Sequence, residues 1–423
     1  MLITGGRVID PLNNIDTPAD VAIQDGRVAG VGHSVPSNFA ADITIDAAGK
    51  WVVPGLMDMH VHLREPGRED KETIATGTQA AAAGGFTAVA CMPNTNPVLD
   101  EESKIRYVKQ RGEDCPCRIF PIGAITKNLS GKELSPFGEM IRAGARGVSD
   151  DGKSVRDTSL MRHAFNYSKS FSIPVICHCE DRDLVGDGHM NESAVSTRLG
   201  IRGIPNIAEE IVVARDIMIA EYTGAKIHVA HVSTAGSVRI VREAKKRGVE
   251  VTCETCPHYF VFTDEDIAGY DTCKKMNPPL RSAADRQAII EGLADGTIDV
   301  IASDHAPHCA EEKDVEFEAA AFGVVGLETS LGAVISYLVK KDILSPRQMV
   351  EKMSLIPNKI LGVSGGSLSL DTNADITIID PEQSWKVQPN QFYSKSRNSA
   401  FNGMTLTGYA HMTILNGRVV FNR

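Results

Sequence analysis

No stretch of this 423-residue chain is long and apolar enough to span a membrane. The nearest, the alanine-rich run at 79–85, breaks off at Gly84-Gly85, whereas a span needs about 20 apolar residues. The opening MLITGGRVID lacks the basic start and apolar middle of a secretory leader. Positive charge is in short supply as well: 44 Lys and Arg face 54 Asp and Glu, for a formal net charge of −10. That balance argues against nucleic acid as a partner, and it leaves an anionic ligand dependent on positive charge placed locally. A cysteine framework is missing too. The nine cysteines are odd in number and scattered, and Cys253-Glu-Thr-Cys256 has no second CxxC to complete a four-sulfur site. Cys115-Pro-Cys117 and Cys177-His-Cys179 also lack partner pairs. All are read as buried thiols, and the chain as a protein of the reducing cytoplasm.

What is present is ordinary globular material, 42% hydrophobic and 23% charged, in a length that suits one large domain and one smaller. Residues 1–50 alternate short β-like runs with glycine turns, and 374–379, 404–407 and 412–418 repeat the theme at the other end. Neither end suffices for a stable sheet alone. Together they are expected to form a small β-sandwich of 1–53 plus 364–423. Between them strands alternate with helices. The strands are expected at 51–59, 86–92, 118–125, 145–149, 173–178, 226–231, 249–255 and 298–303, with helices such as 73–83 and 208–221. Eight such units point to an α/β fold, a TIM (β/α)8 barrel over 54–363. A doubly wound sheet is the alternative, but it gives the dispersed His and Asp residues no common meeting place.

Side chains at the C-terminal ends of barrel strands converge on one mouth. The ligand-type residues at those ends are His60 and His62 on the first strand, Asp151 past the fourth, His178 on the fifth, His231 on the sixth and Asp304 on the eighth. His60 and His62, two apart in a strand, project to the same side, and Arg64 follows on that side if the strand persists. Four histidines and two carboxylates exceed what one tetrahedral zinc with an open position needs. They suit two metals about 3.5–4 Å apart.

The stretch PGLMDMHVHLREPG resembles the signature of the amidohydrolase superfamily, and among its cyclic amidases it is most similar to the bacterial type I dihydroorotases. The resemblance implies a metal-dependent barrel, with Zn2+ as the cofactor, two per chain or, with the second site weak or empty, one. His60, His62 and Asp304 would hold one metal, His178 and His231 the other, and Asp151 would bridge. Many relatives bridge with a carboxylated lysine at the end of the fourth strand. Here that stretch is Ser149-Asp150-Asp151-Gly152, with the nearest lysine, Lys153, past the glycine. The type I enzymes carry an aspartate there, and the alignment favours Asp151 over Asp150. Substrate contacts implied by the resemblance are His62, Arg64, Asn94 of Cys91-Met-Pro-Asn94, Asn277 of the N-P-P-L-R motif, His308 of Ser303-Asp304-His305-Ala306-Pro307-His308, and Phe322-Gly323. Asp304 would also be catalytic, as the proton carrier. Residues 309–318, CAEEKDVEFE, read as a polar loop over the mouth.

The activity implied is reversible cyclisation of N-carbamoyl-L-aspartate to dihydroorotate in pyrimidine biosynthesis. A homodimer is expected, with association with aspartate transcarbamoylase as a further partner, and neither nucleic acid nor membrane. Two rivals remain at this point. An allantoinase or hydantoinase is disfavoured by Arg64 and by the missing lysine. A non-catalytic scaffold for aspartate transcarbamoylase is disfavoured because all six ligand positions are filled.

Overall fold

Pro54-Gly55 divides the chain between two sheets. In the computed structural model, which describes residues 1–36 and 38–423, the run expected as one strand is two: Trp51–Pro54 and Leu56–Val61. Gly55 stands at the break. Its N–H donates to the Asp375 carbonyl at 2.8 Å, and a Cβ there would lie 2.1 Å from Thr87 Oγ1. The first half of the run joins the termini and the second half opens the parallel strands.

The termini do come together, in one hydrogen-bonded sheet. Its order is Arg418–Asn422, Thr405–Leu415, Ile376–Lys386, Trp51–Pro54, Leu2–Asp10, Ile15–Gln24 and Arg27–Val31, with Thr44–Asp46 paired beside the start of Leu2–Asp10. Alternating apolar residues explain it. Ile3, Val8, Val21, Ile23, Val52, Ile376, Ile378 and Ile414 turn to one shared core. Arg118 ties this sheet to the parallel strands, its Nε and Nη2 each donating to the Asp375 carboxylate at 3.0 Å.

The parallel strands fall at the eight expected places. Leu56–Val61, Phe86–Cys91 and Arg118–Pro121 form one sheet. Gly123–Ala124, Val148–Ser149, Val175–Cys177, Ile227–Val229, Val251–Thr255 and Val300–Ile301 form the next, in that order. Only Ile122 separates the two sheets along the chain, and its N–H donates to Cys91 at 2.9 Å. At the other side His62 N donates to the His305 carbonyl at 2.8 Å, and Val61 bridges His305 in parallel. Several strands are shorter than expected, so His178, His231 and Asp304 lie in the bends just past the strand ends.

Helices fill the connections. Ile74–Ala83 begins at Thr73, whose hydroxyl accepts from Thr76 N, and the 208–221 expectation becomes Ile207–Thr223. Among the described residues no helix is long and apolar enough to cross a membrane. All nine cysteines are free thiols, six of them buried; Cys115, Cys273 and Cys309 are only half-buried, which corrects the reading of the Cys115 pair as wholly interior.

Candidate active site

Four imidazoles crowd one end of the parallel strands, each with a ring nitrogen turned inward. His60 Nδ1 lies 2.5 Å from Glu254 Oε1. A carboxylate only accepts, so Nδ1 carries the proton and Nε2 faces in with a free lone pair. His62 repeats the arrangement through Nδ1 and Asn94 Oδ1 at 2.8 Å. His178 is reversed, with Nε2 on Glu180 Oε2 at 3.0 Å and Nδ1 inward. His231 points Nε2 inward, 2.9 Å from His178 Nδ1.

The carboxylate of Asp151 stands among these nitrogens. Its Oδ1 is 3.4 Å from His60 Nε2, 3.7 Å from His178 Nδ1 and 3.6 Å from His231 Nε2, and its Oδ2 is 3.5 Å from His62 Nε2. Asp304 Oδ1 adds 3.1 Å to His62 Nε2 and 3.6 Å to His60 Nε2. Nitrogen and oxygen ligands about 2.0–2.1 Å from a tetrahedral zinc stand about 3.3 Å from one another. The spacing found is one that ligands around a cation could take. Buried His60 Nε2 and Asp151 Oδ1 have no hydrogen-bond partner, a costly state unless something else satisfies them. His60, His62 and Asp151 make one group able to hold a metal, and Asp151, His178 and His231 a second.

Asp150 is turned away. Its carboxylate accepts from Thr126 N at 2.9 Å and from the Thr126 hydroxyl, and burial pushes its pKa up to about 6. Lys153 is exposed. A third group, Cys256, His258 and Asp304, also lies close, but burial raises the Cys256 thiol well above its ordinary range, where it is not the thiolate that metals take.

The opposite wall carries positive charge. Arg64 reaches the site without the strand extension expected of it: Leu56–Val61 ends three residues earlier, and Arg64 turns in through a φ of +61°. Its Nε donates to Pro307 O at 3.1 Å, and Nη2 lies 3.3 Å from His308 Nε2. Burial lowers its pKa to about 10, still charged at neutral pH. Lys71 Nζ is 3.2 Å from His308 Nδ1. His231 and Asp304 share the left-handed backbone, with φ of +34° and +47°. Such conformations cost on the order of 1–3 kcal/mol in non-glycine residues and cluster at functional sites. Gly323 needs its φ of +132°, and a Cβ there would crowd Ala306 Cβ at 2.8 Å and His308 Nε2 at 3.1 Å.

Every residue expected at the site lines a single cavity of about 260 Å³, except His60, which lies fully buried beneath it. Asn277 enters through Nδ2, which donates to Glu180 Oε2 at 2.9 Å. Residues 309–318 are more fixed than a polar loop. They contain the short helix Ala310–Lys313, and Lys313 and Phe317 are buried. The sequence reading missed Glu254 and Glu180, which orient His60 and His178. Glu254 lies inside the Cys253–Cys256 run, where the cysteines drew attention from it; a carboxylate in an otherwise apolar strand was the available signal.

Comparison with known proteins gives one consistent picture. A profile of dihydro-orotase-like proteins matches residues 49–237. A dihydroorotase of Pelotomaculum thermopropionicum is 55% identical over 99% of this chain and 98% of its own, and one of Trichlorobacter lovleyi 52% identical over 100% and 99%. Among solved structures, an L-hydantoinase of Arthrobacter aurescens superposes with a TM-score of 0.90 at 27% identity, over 100% of this chain and 96% of that one. A dihydropyrimidinase of Brevibacillus agri shares the fold at a TM-score of 0.85 and 22% identity, over 100% and 95%.

Proposed function

The chain belongs to the dihydroorotase family, and on that premise we propose that its cavity interconverts N-carbamoyl-L-aspartate and dihydroorotate beside two zinc ions. The fold that goes with this reading is a (β/α)8 barrel over 54–363, with 1–53 and 364–423 as the smaller domain. The bridge from Val61 to His305 supports closure between the first and eighth strands. His60, His62 and Asp304 would hold one metal and His178 and His231 the other, with Asp151 within reach of both groups. The observation that carries this is the unsatisfied His60 Nε2 and Asp151 Oδ1, with three further inward nitrogens around Asp151 at separations that metal ligands take.

A divalent metal there supplies Lewis-acid chemistry, making water a nucleophile at neutral pH and polarising the amide carbonyl. The protein supplies the rest. Arg64 and His308 bind the carboxylate that distinguishes dihydroorotate from hydantoins and dihydropyrimidines, with Asn94 and His62 beside them. Asn277 and the Phe322-Gly323 backbone hold the ring edge. Asp304 takes the proton of the attacking water and delivers it to the leaving ring nitrogen. In the biosynthetic direction, cyclisation removes one of two carboxylates and consumes a proton, so lower pH favours the ring.

The test is a metal count. Protein purified without chelator is expected to hold two metals per chain, and its activity to be indifferent to bicarbonate, since no lysine needs carboxylation. Asp151→Ala is expected to lose metal and activity together. Full metal content and normal turnover in that variant would overturn the assignment of Asp151.

A further inference from the structure

One face of the parallel strands is filled with apolar side chains, among them Met57, Met59, Ala88, Ala90, Ile176 and Val300. Two polar residues interrupt it. His228 stands in the middle of Ile227–Val229, level with Ile176 on one neighbouring strand and Thr252 on the other. Glu254 is level with Val300 on its neighbour. Residues level with one another across a sheet share a face, so both side chains enter the apolar layer, and both are fully buried. A buried charged pair gives no stability that well-packed apolar residues could not match. Stability therefore does not explain these two.

Glu254 serves two imidazoles at once. Its Oε1 accepts from His60 Nδ1 at 2.5 Å, and its Oε2 lies 3.2 Å from His228 Nε2. The second contact is off the line of a hydrogen bond, and among the described residues neither of its atoms has another partner. The far nitrogen of His228, Nδ1, lies 2.8 Å from the Thr252 hydroxyl, which also reaches the Ile227 carbonyl at 3.4 Å. One line of contacts thus runs from the strand backbone through Thr252, His228 and Glu254 to His60, whose Nε2 faces Asp151 at 3.4 Å.

We propose that His228 is a positioning residue of the metal site, pinning the second oxygen of Glu254 and through it the ring of His60. This rests on the metal reading given above. A glutamate held at one oxygen alone can swing about its side-chain bonds and take the imidazole with it. Held at both oxygens, its carboxylate plane is fixed, and His60 Nε2 stays aimed at the metal. The line reaches one group of ligands only. His178 takes its orientation from Glu180, whose other partner is Asn277. His228 is therefore expected to govern the metal at His60 and not the one at His178 and His231.

Three variants of the full chain test this. His228→Phe keeps a flat ring but offers Glu254 no proton, His228→Gln restores a donor close to the place of Nε2, and Thr252→Val removes the partner of Nδ1 at equal volume. Against a graded chelator, His228→Phe is expected to give up one metal about 10-fold more readily and the other as wild type does, the low end of the range for partners of metal ligands. His228→Gln is expected to stay close to wild type and Thr252→Val to fall between. A second readout needs no metal. The His60 Nδ1 proton, assigned in spectra of isotope-labelled histidine by its loss in His60→Ala, is expected to exchange with solvent faster in His228→Phe and at the wild-type rate in His228→Gln. Equal loosening of both metals, no loosening, or a loss in His228→Gln as large as in His228→Phe would overturn the proposal. Thr252→Val carries the same test if His228→Phe does not fold, and wild-type behaviour in it would count against His228 equally. A wild type that binds no metal would overturn the metal reading instead, and unchanged proton exchange in the variants would then overturn the part given to His228.

Discussion

For three of the four imidazoles the inward nitrogen is set by what holds the other nitrogen of the ring; His231 Nδ1 has no partner. Glu254, Asn94 and Glu180 do this for His60, His62 and His178, and such partners fix the tautomer and orientation of a ligand. The carboxylate of Glu180 is kept ionised against the pull of burial by His178 and Asn277, at a pKa of about 2. Asp304 has no comparable tether and combines proximity to His62 with a strained backbone. Its carboxyl, which burial alone would raise, is instead held below the ordinary range by His62 and His60, so it is ionised at neutral pH. Asp304→Asn keeps one ligating oxygen and the shape but cannot take the proton of the attacking water. We expect kcat to fall by about 10²–10⁴ with much of the metal retained. Turnover within a few fold of wild type would move the proton role to another group.

At the scale of elements, the segment over the mouth is fastened from beneath by two lysines. Lys313 Nζ donates to the carbonyls of Ala321 at 2.7 Å, Gly323 at 3.0 Å and Lys275 at 3.2 Å. Lys275 Nζ donates to Phe317 and Glu318 at 2.7 and 2.9 Å. Burial lowers both to about 8. Between pH 8 and 10.5 the unfolded lysine still binds a proton that the folded one has released, so stability rises with pH across that window. The shift of Lys313 from 10.5 to about 8 corresponds to at most about 3 kcal/mol. In urea titrations at pH 8 and 10, wild type is therefore expected to gain on Lys313→Met as pH rises. A constant difference between the two would show that the lysine is not held charged at a cost. None of this was legible beforehand. The residues CAEEKDVEFE look solvated one by one, and only the fold shows the carbonyls that Lys313 satisfies. The parallel strands, in contrast, were legible because burial on both faces leaves short apolar runs between glycine turns. The break at Gly55 was not, since periodicity is the same on both sides of it.

At the scale of the whole molecule, the six metal-type positions were readable mainly through the family resemblance, with the common meeting place of barrel strand ends as the supporting argument. Arg64 was readable as a neighbour of His62 but not by the route it takes. Its importance comes from the net charge of −10, which offers an anionic substrate no general attraction and leaves the positive wall of Arg64 and Lys71 to draw it in. A charge-assisted contact of this kind is worth about 1.5–3 kcal/mol, or roughly 10- to 150-fold in kcat/KM. The most direct measurement is kcat/KM of wild type and Arg64→Met on dihydroorotate and on dihydrouracil, the same ring without the carboxylate. We expect dihydroorotate to be strongly preferred by the wild type and to lose at least that factor in the variant, while the weak activity on dihydrouracil changes little. An equal loss on both substrates, or no preference to begin with, would contradict the account.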